Sequence, residues 1–244
     1  MSRDNPRQEI EDALGAGNLC RLLEISGLLH GHFCPGSAMG IKAAARAVSE
    51  LGVKSTGMEQ VVAIVETNSC FSDGVQIVTG CSFGNNALIY RDYGKTAFTL
   101  AKRTGEGVRV SATADRVREE RSPEVAELWD RVVVNRSGSE ADSRRLTELW
   151  TELAFRIVAL PDEDLLAIKK VKADVPAYAR IFASVQCSAC GETIMEPRAR
   201  LKEGRPVCLP CSEHAYYQLA GDGISLVIPR CSEGGPARSS SASD

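Results

Sequence analysis

The chain has 244 residues, 43% of them hydrophobic and 25% charged, with a formal net charge of −3. That length holds a full hydrophobic core plus a small accessory module, and the mild acidity argues against broad, charge-driven binding to nucleic acid or membrane surfaces. The longest aliphatic run, Val61-Val62-Ala63-Ile64-Val65, is too short to cross a bilayer, and Met1-Ser-Arg-Asp-Asn-Pro-Arg-Gln-Glu has no apolar signal core, so a cytoplasmic location is expected. Nine cysteines in such a chain predict thiols and metal ligands rather than disulfides.

In chain order, the first segment that carries chemistry is His30-Gly-His32-Phe-Cys34-Pro35-Gly36. It precedes a helix over 37–51, where Ala38, Ile41, Ala44, Ala45, Val48 and Leu51 recur with helical spacing, Lys42, Arg46 and Glu50 lie between them, and Gly52 closes the helix. Pro35 suits the first helical turn, which places Cys34 at or beside the N-cap. There the free N–H groups and the positive end of the helix dipole favour a thiolate. Two of the three histidines lie within four residues of that thiol, and imidazole with thiolate is a ligand set preferred by Zn, Fe or Cu.

Gln60–Glu66 reads as a buried strand. Beyond it, Cys70, Asp73 and Gln76 fall at i, i+3, i+6 spacing on one face of a short helix, and Cys81 follows a Thr79-Gly80 turn. Such a strand end is a common place for a site, because rigid elements hold residues at a cleft. Cys81 points elsewhere unless the loop folds back. Thr96–Lys102 and Val108–Thr113 read as a hairpin through Thr104-Gly-Glu-Gly107. Helices follow near 123–134 and 143–160, the second with Leu146, Leu149, Trp150, Leu153, Ile157 and Leu160 on one face, and Pro161–Asp164 opens another. Strands first and helices later predict an α+β core domain over 1–184.

The C-terminal part holds Cys187, Cys190, Cys208 and Cys211, two CxxC pairs with seventeen residues between them. Each pair sets two thiolates on one tight turn, and together they complete a tetrahedral S4 set for Zn2+. Arg198-Ala-Arg200-Leu-Lys202-Glu-Gly204-Arg205 reads as two short strands around a turn, which predicts a structural zinc ribbon over 185–218. Its basic side chains are those of a solvated hairpin face. His214, three residues past Cys211, is an outside candidate ligand. Residues 219–244 read as a tail with a disordered end.

Four motifs now agree in order and spacing: His30-Gly-His-Phe-Cys34-Pro-Gly; Glu66…Cys70…Asp73…Gln76…Thr79-Gly80-Cys81; Arg91-Asp92-Tyr93-Gly94-Lys95-Thr-Ala-Phe98; and the four-Cys ribbon. From about residue 19 to 217 the chain resembles the E-subunit family of formylmethanofuran dehydrogenase. The resemblance implies an α+β core with a C-terminal zinc ribbon and, in methanogens, association with the molybdenum or tungsten enzyme that reduces CO2 to a formyl group. One stretch departs from it: Gly84-Asn85-Asn86-Ala87 stands where the family commonly has Gly-Lys-Gly-Asn. The lost Lys removes a cation that could face an anion, while Asn is the best non-Gly residue for a positive φ, so the turn itself is expected to persist.

The leading expectation is a metal-binding protein. His30, His32, Cys34, Cys70, Asp73 and Cys81 would surround a second transition metal in the core, His30 and Asp73 as ligands or outer partners. Cys34 and Asp73 are the candidates for catalysis. An open coordination position would make the protein an enzyme or a subunit serving molybdenum or tungsten oxidoreductases, and both stay open, as does a homodimer. The alternatives are a zinc-ribbon adaptor or regulator without activity, and thiol redox work through Cys34 and a partner cysteine.

Overall fold

The computed structural model describes residues 5–54, 59–113 and 115–229. The chain forms two compact units, dividing after Tyr178, where the sequence places the boundary after residue 184.

The first unit begins with α1 (Gln8–Gly15), α2 (Leu19–His30) and α3 (Pro35–Leu51), then β1 (Val61–Val65), α4 (Cys70–Thr79) and β2 (Leu88–Tyr90). The hairpin β3 (Ala97–Lys102) and β4 (Glu106–Ala112) follows, then α5 (Asp115–Glu119), α6 (Pro123–Trp129), a π-helical turn over Asp130–Val134, α7 (Glu140–Ala159), α8 (Asp162–Leu165) and β5 (Leu166–Lys172). The five strands make one mixed sheet in the order β2-β1-β3-β4-β5, with only the β1–β2 pair parallel. The expected α+β class holds.

All five residues of β1 are buried, which is why its sequence shows no polar alternation. Ala63, Val65, Phe98, Leu100, Val108 and Val110 form one core with Ile41, Ala44, Phe71, Val75 and Ile157 from the helices. α3 is the central helix. Cys34 is its N-cap, Pro35 its first residue, and Gly52 closes it at φ 60°. Its polar positions are not all solvated as the periodicity implies. Lys42 is 3% exposed; its Nζ donates to the carbonyls of Val158 (3.2 Å) and Leu160 (2.7 Å) and pairs with Asp162 at 3.0 Å. A buried ammonium thereby satisfies carbonyls left over where α7 ends.

α3 and α4 cross closely because side chains are missing at Gly36, Gly40 and Gly74. A Cβ at Gly40 would strike the Phe71 carbonyl, one at Gly74 would stand 2.5 Å from the Ser37 carbonyl, and one at Gly36 would land on Cys70 Sγ. The same absence lets Cys34 and Cys70, at the starts of these two helices, come together.

Three local expectations change. The helix expected over 123–134 turns π-helical after Trp129. α7 starts at Glu140, ahead of residue 143, because Ser139 and Asp142 form a capping box. Strands do not all precede helices, since β5 pairs with β4 after the last helix; its Lys169, Lys170 and Lys172 mask it in sequence, as charges often do on an edge strand.

The second unit contains the hairpin β6 (Ser184–Gln186) and β7 (Thr193–Met195), a 3-10 turn over Glu196–Arg198, the hairpin β8 (Arg200–Lys202) and β9 (Arg205–Val207), and α9 (Leu209–Ser212). A last hairpin, β10 (Tyr216–Ala220) and β11 (Gly223–Val227), reaches into the stretch read as a tail; residues 230–244 lie outside the described residues. Among the described residues, the buried hydrophobic cluster of this unit is Cys187, Val207 and Cys208, with Ile194 and Cys211 against them. Among the described residues no helix is long and apolar enough to cross a membrane.

Candidate metal centres

The core centre is built where three helix ends meet. His30 is the last residue of α2, and Gly31 turns the chain at φ 82°. That turn carries His32 back over His30, with ring centroids 4.3 Å apart, and delivers Cys34 to the N-cap of α3. Ligand atoms of His30, His32 and Cys34 all lie within 4.8 Å of one another. Asp73, one turn into α4, accepts the His30 Nδ1–H at 2.7 Å and is itself held by Gln76 Nε2 at 3.1 Å. That pairing turns His30 Nε2 toward Cys34 Sγ, 3.6 Å away. A carboxylate behind an imidazole is the usual support of a metal-binding histidine.

Cys34 is 2% exposed and yet favours its thiolate. A hydrogen bond from the Cys70 thiol, then the Ser37 backbone N–H and the nearby His30, lower its pKa from 9.0 to about 5 against the opposing cost of burial. Cys70 shows the converse: donating to Cys34, together with burial, pushes its own pKa far up. Both thiols also sit where helix dipoles are positive, Cys34 at the cap of α3 and Cys70 at the first residue of α4. The cluster therefore presents one thiolate, one neutral thiol and two imidazoles, a donor set suited to a borderline transition metal.

Cys81 is not part of it. α4 is ten residues long, so Cys70 and Cys81 lie at opposite ends of about 15 Å of helix. Cys81 Sγ instead contacts the carbonyls of Val61 (3.7 Å) and Thr79 (3.9 Å), and burial raises its pKa. The turn beyond it persists as expected, with Asn86 at φ 57° and Asn85 Nδ2 donating to the Gly80 carbonyl at 2.7 Å.

In the second unit the sulfurs of Cys187, Cys190, Cys208 and Cys211 lie within 4.8 Å of one another. Cys187 and Cys190 sit on the β6–β7 turn, where the backbone N–H groups of Cys190 and Cys208 lower the Cys187 pKa to about 6. The second pair does not sit on another strand turn: Cys208 caps α9 and Cys211 lies within it. Hydrogen bonding to Cys208 and Cys190 pushes Cys211 up to about 12. Cys187 is pushed down while Cys190 and Cys211 are pushed up, as expected of sulfurs too close to ionise together without a cation. His214 is exposed, its Nδ1 on the Ser212 carbonyl at 3.0 Å, and it stands outside the cluster.

The family described as "FmdE, Molybdenum formylmethanofuran dehydrogenase operon" matches residues 29–167, more than half of the chain. The chain belongs to this family. The prokaryotic dksA/traR C4-type zinc finger matches residues 180–217, around the four cysteines. The crystal structure of a tungsten formylmethanofuran dehydrogenase FmdE-like protein from Syntrophus aciditrophicus is similar at TM-score 0.52 and 25% identity, over 80% of this chain and 91% of that one. A probable S-adenosyl-L-methionine-binding protein of Archaeoglobus fulgidus is 41% identical over 219 residues. The match takes in 88% of this chain and 58% of that protein, so the chain spans a little over half the length of this curated relative. The zinc-finger match and the four-Cys cluster support zinc binding by the second unit.

Sequence reasoning missed two residues of the core centre. Ser37 supplies the N–H that holds Cys34 Sγ at 3.5 Å, and Trp150, read only as a residue of an apolar helix face, lies over His32 with centroids 6.3 Å apart and planes 16° from parallel. No spacing rule links residue 32 to residue 150; only the packing of α7 does.

Proposed function

We propose that the first unit is a metal-binding domain whose ion is held by His30, His32 and Cys34, with Cys70 as the adjoining thiol, and that the protein serves molybdenum- or tungsten-enzyme one-carbon chemistry beside oxidoreductase subunits. The observation that carries the metal reading is the Asp73–His30 pair, which fixes the imidazole with its Nε2 toward the Cys34 sulfur. A metal bound there would supply Lewis acidity or bind a substrate atom at an open position. The chain's own residues orient His30 through Asp73, keep Cys34 deprotonated through Cys70 and Ser37, and leave His32 on the exposed side. The family match supports the oxidoreductase partnership.

A second reading rests on Cys34 and Cys70, which start the two helices that cross where a Cβ on Gly36 would land on Cys70 Sγ. A thiolate touching a thiol can reduce an external disulfide, forming one S–S bond and releasing two thiols. Anaerobic purification with elemental analysis and counted thiols separates the two. Two metals per chain supports the first reading. One metal, with Cys34 and Cys70 titrating as free thiols, overturns it and favours the second.

A further inference from the structure

The chain contains two tryptophans, and both stand in an aromatic row that ends on the core centre. Trp129 on α6 packs against Trp150 on α7 with centroids 4.7 Å apart, Trp150 lies over His32, and His32 over His30. Among the described residues, three buried side-chain nitrogens have no hydrogen-bond partner: Arg7 Nε, Arg121 Nε and Trp150 Nε1. Arg7 has its role elsewhere, donating through its terminal nitrogen to the carbonyls of Ile77 and Val78 where α4 ends. The other two belong to the aromatic row, since the Arg121 guanidinium lies 6.0 Å from the centre of the Trp129 ring.

An indole has one donor and no acceptor, and a buried one normally finds a partner. Leaving it unmet forfeits the hydration of that group without return. Here the free donor belongs to a ring that lies over His32, with centroids 6.3 Å apart, so an acceptor from a ligand of the core centre is a natural partner for it. Two features narrow its class. The atom must accept, which excludes ammonium groups. The Arg121 guanidinium, 6.0 Å from the Trp129 ring that packs on Trp150, favours negative charge. A carboxylate meets both conditions.

We propose that Trp150 Nε1–H binds a carboxylate oxygen of the ligand on which the core centre works, with Arg121 adding positive potential beside Trp129. The inference rests on the metal reading for the site's purpose, but its own content is the Trp150 hydrogen bond. Because the two tryptophans both lie in this row, tryptophan emission excited at the red edge, where tyrosine does not absorb, reports on it alone.

The test titrates the full-length, metal-analysed chain with sodium acetate at constant ionic strength, against sodium chloride, following tryptophan emission and checking binding by equilibrium dialysis of labelled acetate. A saturable response to acetate and not to chloride is expected. Trp150→Phe keeps an aromatic ring against His32 and removes only the N–H, so it should keep its metal content while acetate binding weakens about tenfold or more. Trp129→Phe keeps the N–H and should bind acetate within about twofold of the parent chain, a standard that holds even if the first variant is poorly folded. No saturable binding to a parent chain carrying both metals, or an unchanged midpoint in Trp150→Phe, overturns the proposal. A parent chain lacking the core metal but still binding acetate through Trp150 would sink the metal reading and leave this one standing.

Discussion

The two sulfur-rich clusters of this protein differ in what holds them in place. In the second unit four cysteines converge on one point, and the buried interior around them is hardly more than the cysteines themselves with Val207 and Ile194. In the first unit a mixed His/Cys cluster rests on a core of some thirty buried residues and on three helix ends. The thiol cluster makes its scaffold, while the His/Cys cluster is made by its scaffold. On the proposed reading a metal would be part of folding in one and an occupant in the other. Loaded with metal, the four-thiol cluster would be a closed site, whereas the exposed His32 would allow an open position at the other.

The sharpest way to break this comparison is Cys208→Ser. Zinc content should fall by about one equivalent per chain, and the second unit should become protease-sensitive while residues up to Tyr178 stay resistant. The effect is large because structural zinc contributes on the order of 10 kcal/mol of apparent binding energy to small modules. Unchanged zinc content would mean that the four thiols are not the ligands.

The next effect is Asp73→Asn, which keeps the shape but withdraws the carboxylate from His30. Metal affinity of the core centre should drop about 10- to 100-fold, read by competition with a chelating dye, with the zinc of the second unit and the melting temperature nearly unchanged. An equal loss at both centres would erase the distinction drawn between them.

A smaller effect concerns pH. The folded pKa of Cys34 lies below its unfolded value, so its thiolate contributes stability that is fully present above about pH 9 and fades as pH falls toward about 5. In metal-free protein, the melting-temperature advantage of the parent chain over Cys34→Ser should shrink across that window. Thiolate absorbance lost in the variant should persist in the parent well below neutrality. An advantage that grows on acidification would show that Cys34 is held as a thiol. The smallest expected effect is Cys81→Ala. Its sulfur sits in the hydrophobic core against the carbonyls of Val61 and Thr79, so metal content should not change, with a stability loss of about 1 kcal/mol, typical of a small buried change. Loss of a metal would restore Cys81 to the core centre.

Much of both sites is legible in the chain. Cys34-Pro35 announces an N-cap and a helix start, Gly52 its end, and the CxxC spacing announces four converging thiols, because capping and tight turns are local. Asp73 is legible as a neighbour of Cys70 on one helix face, but not as the partner of His30. That 2.7 Å contact spans 43 positions in the chain. Lys42 reads as a surface lysine until α7 is seen to end on it. Trp150 reads as core until it is found over His32.

The sequence by itself determined the buried first strand, the helix behind Cys34, the four-thiol module and the family, since each rests on residues a few positions apart. The tertiary structure decided which cysteines share a site. Cys70 and Cys81 look equivalent in the chain, flanking one helix, yet the glycines at 36, 40 and 74 let α3 and α4 cross at the Cys70 end only. Close approach there brings one thiol to Cys34, and the length of α4 carries the other away, because a rigid helix cannot present both of its ends to the same point.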